Sequence, residues 1–186
     1  VAALILNNSE ITIPNVNINK YRIGIITVLK EMGANISIIN KRLDSNEELG
    51  DLIIKSSQLR SLNIGGEIIS TLIDELPILF IACAVSSGVS KISGIEELRY
   101  KESDRIKSME EGLIAIGIKV TSTIDSIEII GGEILGGKIN SYGDHRIAMA
   151  FAIAALVSKK SITIIDTKNI STSFPNFIDL MRDQGA

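Results

Sequence analysis

The sequence predicts an α/β fold: a pseudo-threefold repeat of βαβαββ-like units with apolar helices inside and sheets outside. Three observations predict it. Large apolar residues stand four places before a glycine at Leu29 and Gly33, Leu113 and Gly117, and Met181 and Gly185. Upstream of each such pair lies a strongly apolar helical stretch, then a short strand. After the first two glycines the chain turns extended again.

The elements follow in order. In the first copy, residues 1–6 read as a helix and 11–13 as a strand, joined by Asn7-Asn8-Ser9. A second helix ends at Gly33, because glycine tolerates the positive φ that closes a helix. Strands are expected at 36–39 and 52–54. In the second copy, residues 76–85 form the apolar helix and 89–92 the strand. A further helix carries Ile106, Met109, Leu113 and Ile116 to Gly117, and strands are expected at 119–123 and 127–130. In the third copy, residues 147–157 form the helix and 162–165 the strand, and a last helix ends at Gly185. Such units bury their apolar faces on one another. The alternative architecture is a two-layer α+β domain.

Composition limits the function classes. The chain has 186 residues, 45 % hydrophobic and 22 % charged, which suits one globular domain over 1–186. The longest apolar run, 147–157, has 11 residues and reads as a buried helix, since a membrane span needs about 20. A net charge of −3 argues against a general nucleic-acid partner. One cysteine and one histidine leave no internal disulfide and no zinc-ligand spacing. Cys83, among Ile81, Ala82, Ala84 and Val85, reads as a core residue rather than a nucleophile. A signal-free, cysteine-poor chain fits the cytoplasm. The start at Val1, which reads as the end of a helix already under way, points to a fragment.

Two motifs carry chemistry. Glu96-Glu97-Leu98-Arg99-Tyr100-Lys101-Glu102-Ser103-Asp104-Arg105 leads into a helix that Ser103 or Asp104 can cap. Lys101 and Arg105, four apart, share a helical face, where two cations beside a helix start can hold phosphate or carboxylate. A solvated charged helix start is the commoner explanation of such a run. Tyr142-Gly143-Asp144-His145-Arg146 precedes the most apolar helix, with Asp144 as a natural cap. Arg146 lies against the positive end of the helix dipole, which points to a bound anion. His145 reads as a capping-region or core histidine with fixed hydrogen bonds, in preference to a catalytic base. A third segment, Leu72-Ile73-Asp74-Glu75-Leu76-Pro77, places an acid pair at another apolar helix, and capping alone accounts for Asp74. If the repeat is threefold, these helix starts converge on one face.

Together with Ser171-Thr172-Ser173-Phe174-Pro175, these segments resemble the C-terminal signatures of the 5-enolpyruvylshikimate-3-phosphate (EPSP) synthases. The resemblance runs over 1–186 and implies one lobe of a two-lobe enzyme, inactive without its partner lobe. It implies transfer of the enolpyruvyl group of phosphoenolpyruvate to shikimate 3-phosphate, with no metal and no cofactor. It casts Asp74 as the carboxylate at the attacking hydroxyl and Glu102 as the acid that protonates the methylene carbon. Lys101 resembles the residue that contacts shikimate 3-phosphate near the reacting centre, and Arg105 and Arg146 resemble the arginines that grip phosphoenolpyruvate. Glu97 stands where some members place asparagine, and Thr172 where many carry lysine. The rival readings are an enolpyruvyl transferase acting on UDP-N-acetylglucosamine, and a binding or folding lobe without turnover.

Overall fold

A computed structural model of the chain describes residues 1–185. The expected span ends at Ala186, which lies outside the described residues. The repeat is written most plainly in strand pairing. The second copy is complete: β4 (Asn63–Ile64), α3 (Leu76–Ala84), β5 (Val89–Ser93), α4 (Arg105–Ala115), β6 (Lys119–Ser122) and β7 (Ser126–Ile130) make one βαβαββ unit. Its sheet runs β4-β5-β7-β6, with β4 parallel to β5 and the other neighbours antiparallel.

The first copy contributes α1 (Ala2–Ile5), β1 (Glu10–Asn17), α2 (Gly24–Glu31), β2 (Asn35–Asp44) and β3 (Glu47–Lys55). Its antiparallel sheet β1-β3-β2 repeats the order β5-β7-β6. The third copy contributes β8 (Gly137–Asn140), α5 (His145–Ala155), β9 (Ile162–Ile165), α6 (Ile170–Ser173) and α7 (Phe177–Asp183). Its parallel β8-β9 pair repeats β4-β5. The short opening strands β4 and β8 are additions to the helix, strand, helix, strands pattern read from the residues.

The glycine stops are built as the spacing predicts. Gly33, Gly117 and Gly185 have φ of +92°, +93° and +82°. The amide after the first two reaches back to the flagged leucine: Ala34 N donates to Leu29 O and Ile118 N to Leu113 O, both at 2.9 Å. These six-to-one bonds satisfy carbonyls that a helix end otherwise leaves open.

Helices α3, α4 and α5 are inside. In α3 every residue except Ile78 is buried, as its unbroken apolar sequence requires. In α5 the buried face runs Ile147, Ala148, Ala150, Phe151, Ile153 and Ala154. Helix α4 is amphipathic, with Ile106, Met109 and Leu113 turned inward. The sheets cover this core with one face: in β7, Ile127 and Ile129 are buried while Glu128 is exposed. Cys83 lies in the core, fully buried, where desolvation pushes its thiol up to about 12. No helix among the described residues is long and apolar enough to cross a membrane.

Candidate active site

The starts of α3, α4 and α5 meet, so the expected convergence of helix N-termini on one face is present. Each brings its side chains by a different local route. Asp74 sits in a 3-10 turn, Ile73–Glu75, which runs directly into α3 at Leu76. It does not cap that helix. The cap position falls on Glu75 and no side chain fills it, which corrects the capping reading of Asp74. The geometry frees its carboxylate for other partners.

Lys101 and Glu102 lie in the bend between a second 3-10 turn, Glu96–Tyr100, and α4. Lys101 therefore does not share a helical face with Arg105. Asp104 caps α4 by accepting from Lys107 N at 3.0 Å, so the helix starts only at Arg105. The two cations still converge, because the bend turns Lys101 back over the same carboxylate. Arg99 braces that bend: its Nη1 lies 2.8 Å from Asp104 Oδ2, and its Nε donates to Ile124 O at 2.8 Å.

Arg105 is the foundation of the cluster. Its side chain is 1 % exposed, yet it meets three carboxylates. Nε donates to Asp144 Oδ2 at 2.8 Å, Nη2 to Glu102 Oε2 at 2.5 Å, and Nη1 to Asp74 Oδ1 at 3.4 Å. A buried guanidinium needs such compensation, since an unpaired buried charge costs several kcal/mol. Asp144 is wholly buried and divides its oxygens. Oδ1 caps α5, accepting from Arg146 N at 2.9 Å and Ile147 N at 3.4 Å. Oδ2 takes Arg105 and the Ser103 hydroxyl, the latter at 3.2 Å. Reading Asp144 as a cap was correct but incomplete. Its link to Arg105 spans 39 residues of sequence, and no local pattern signals it.

Arg146 reaches across to α3. Its Nη1 donates to the main-chain oxygen of Asp74 at 2.9 Å, and its Nη2 lies 3.4 Å from Asp74 Oδ2. The Lys101 ammonium lies 3.9 Å from Asp74 Oδ1 and also pairs with Glu97. The three cations thus meet the four carboxylates of Asp74, Glu97, Glu102 and Asp144. Asp74 and Glu102 are about half exposed, at 45 % and 50 %. With Glu97, at 66 %, they are the carboxylates of the cluster open to solvent, while Arg105 and Asp144 are buried.

Beside the cluster a cavity of about 260 Å³ is lined by Asp74, Arg146, Pro77, Met149, Phe174 and Phe177. The Ser171–Pro175 segment enters this wall through Phe174. Thr172 does not reach the cluster; its hydroxyl donates to Asn169 O at 2.9 Å. A larger cavity of about 520 Å³, lined by Ile18, Lys20, Lys41 and Arg42 among others, contains no cluster residue. His145 opens α5, but its ring makes no hydrogen bond among the described residues, so the fixed bonds expected of it are not there. Among the described residues no group of three His, Cys, Asp or Glu could hold a metal ion.

The arrangement offers two half-exposed carboxylates on either side of guanidinium groups. Carboxylates give and take protons, and guanidinium forks bind carboxylate and phosphate. A profile of the EPSP synthases (3-phosphoshikimate 1-carboxyvinyltransferases) matches residues 1–181. The 3-phosphoshikimate 1-carboxyvinyltransferase of Legionella pneumophila (strain Paris) is 47 % identical over 178 residues, 96 % of this chain and 41 % of that protein. The protein of the same name from Methylococcus capsulatus is 45 % identical over 185 residues, 100 % of this chain and 42 % of its own length. Among solved structures, EPSP synthase from Acinetobacter baumannii superposes with a TM-score of 0.95 at 40 % identity, over 98 % of this chain and 43 % of that one. The enolpyruvyl transferase NikO from Streptomyces tendae shares the fold, with a TM-score of 0.74 at 16 % identity, over 100 % of this chain and 41 % of that one. The chain spans about two fifths of the length of the curated relatives it matches.

Proposed function

The chain belongs to the EPSP synthase family, and on that premise we propose that it forms one lobe of a two-lobe cytoplasmic enzyme. That enzyme transfers the enolpyruvyl group of phosphoenolpyruvate to the 5-hydroxyl of shikimate 3-phosphate in the shikimate pathway, which leads to chorismate and the aromatic amino acids. The lobe alone binds but does not turn over. The observation that carries the reading is the meeting of Asp74, Lys101, Glu102, Arg105 and Arg146 at three helix starts.

The chemistry assigns each a role. Arg105 and Arg146 bind the phosphate and carboxylate of phosphoenolpyruvate, for which planar forks are suited. Glu102 gives its proton to the methylene carbon, which becomes a methyl group and leaves cationic character at the neighbouring carbon. The sugar hydroxyl attacks there, and Asp74 takes its proton. The tetrahedral adduct then loses phosphate and a methyl proton. Phosphate leaves with the C–O electron pair and accepts the proton held by Asp74, while ionised Glu102 recovers the methyl proton, so both carboxyl groups return to their starting states. Lys101 contacts shikimate 3-phosphate at the reacting end. The half exposure of Asp74 and Glu102 supports their access to substrate.

The test uses the intact two-lobe enzyme. Glu102→Gln keeps shape and removes the acid; kcat should fall roughly 10²-fold or more with little change in substrate binding. Arg146→Lys keeps charge and loses the fork; phosphoenolpyruvate binding should weaken while shikimate 3-phosphate binding holds. Near-normal kcat in Glu102→Gln would remove its role as proton donor.

A further inference from the structure

Asp74 makes contacts that a base does not require. Its carboxylate lies where all three cations of the site point: 3.4 Å from Arg105, 3.4 Å from Arg146 and 3.9 Å from Lys101. We propose that Asp74 is the internal counter-ion of the anion site, so that an anionic group of the ligand binds by displacing its carboxylate from between the cations. This rests on the reading of the cluster as an anion site.

The distances separate fixed contacts from exchangeable ones. Arg105 is held at 2.8 Å by Asp144 and is also paired with Glu102. Arg146 is held at 2.9 Å by the main-chain oxygen of Asp74. These lie in the range of strong charge-assisted bonds, whereas contacts of 3.4 Å and more are weak. So the guanidinium groups stay in place through other partners when the Asp74 carboxylate leaves. That carboxylate accepts no backbone N–H among the described residues, because the cap position of α3 falls on Glu75. Its side chain is 45 % exposed, so turning toward water costs little desolvation. Meanwhile the bond from Arg146 to its main-chain oxygen keeps the residue itself at the site.

The counter-ion lowers anion affinity, and this is measurable. Inorganic phosphate is titrated into the full chain, Asp74→Asn and Glu75→Gln by calorimetry at fixed pH and ionic strength. Glu75 lines the same cavity and makes no ion pair among the described residues. Its replacement therefore controls for net charge alone. A like charge about 4 Å from a bound anion near a protein surface amounts to at least a tenfold effect on affinity. Asp74→Asn should bind phosphate on the order of tenfold more tightly, and Glu75→Gln should match the parent. An affinity for Asp74→Asn equal to or weaker than the parent overturns the counter-ion, as does an equal gain in Glu75→Gln. Phosphate binding to none of the three overturns the anion-site reading beneath it; binding by the parent without a gain in Asp74→Asn overturns the counter-ion alone.

Discussion

Asp144→Ala removes a carboxylate that is 0 % exposed and joined at 2.8 Å to a guanidinium that is 1 % exposed. Breaking a buried pair by deleting one partner costs about 3–5 kcal/mol, because the other charge stays behind. The lower end, about 3 kcal/mol, applies here, since Glu102 and Asp74 still face Arg105. The same substitution strips the cap of α5, for about 1 kcal/mol more. Together this is about 4 kcal/mol, or a fall in Tm of roughly 8–16 °C for a chain of this size. The comparison is Asp104→Ala, which also removes a cap, but whose ion pair with Arg99 is partly exposed, at 34 % and 22 %. That change should cost only about 1–2 kcal/mol. Urea unfolding of both variants reads the difference, provided the m-values agree. A second substitution, Arg105→Met on the Asp144→Ala background, should recover part of the loss, as neither charge then remains buried. If Asp144→Ala unfolds at the same urea concentration as Asp104→Ala, the buried pair is not what holds α4 to α5.

Three further outcomes are expected. Gly117→Ala should lower the urea midpoint by the equivalent of about 1–2 kcal/mol, because φ is +93° and an added Cβ would lie 2.8 Å from Leu135 Cγ; an unchanged midpoint contradicts this. Cys83, whose thiol is pushed up to about 12 by burial, should resist an aromatic disulfide reagent at pH 8 and react once urea unfolds the chain; labelling at native conditions counts against the core assignment. The Asp51 carboxyl is held below the usual carboxylate range, chiefly by the Asn40 amide and then by the Asn15 N–H. A depressed native value stabilises the fold only while the group is ionised, so the contribution is present above about pH 4 and lost as pH falls through the lower native value. The stability gap between the parent and Asp51→Asn should therefore be full at neutral pH and close in acid; a gap that widens in acid refutes the assignment.

The sequence made the helices legible because their signals are local. Leu113 and Gly117 are four residues apart, and the bond from Ile118 to Leu113 closes within the same turn. The unbroken apolar run of α3 leaves only burial as an outcome. Strands β4 and β8, of 2 and 4 residues, are too short to show alternation. The 3-10 turns at Ile73–Glu75 and Glu96–Tyr100 carry no apolar period either. They displaced the site residues from the expected helix positions, so Asp74 lost its capping role and Lys101 its helical face. The membership of the cluster was legible as motifs, but its wiring was not. Arg105 and Arg146 meet Asp74 across 31 and 72 residues, and Asp144 splits its two oxygens between helices that sequence proximity does not connect.

The repeat assigns a purpose to a strand far from the chemistry. Strand β9 pairs with β8 as β5 pairs with β4, and the opposite edge of β5 is the one that β7 covers. The four residues of β9, Ile162, Thr163, Ile164 and Ile165, are all β-branched and uncharged, and no proline interrupts them. That composition suits a strand paired on both sides rather than one that keeps an edge in water. A short peptide with the sequence of β7 should therefore find its register on β9 more readily than on β1, where Pro14 and the register shift between Ile13 and Val16 interrupt the ladder.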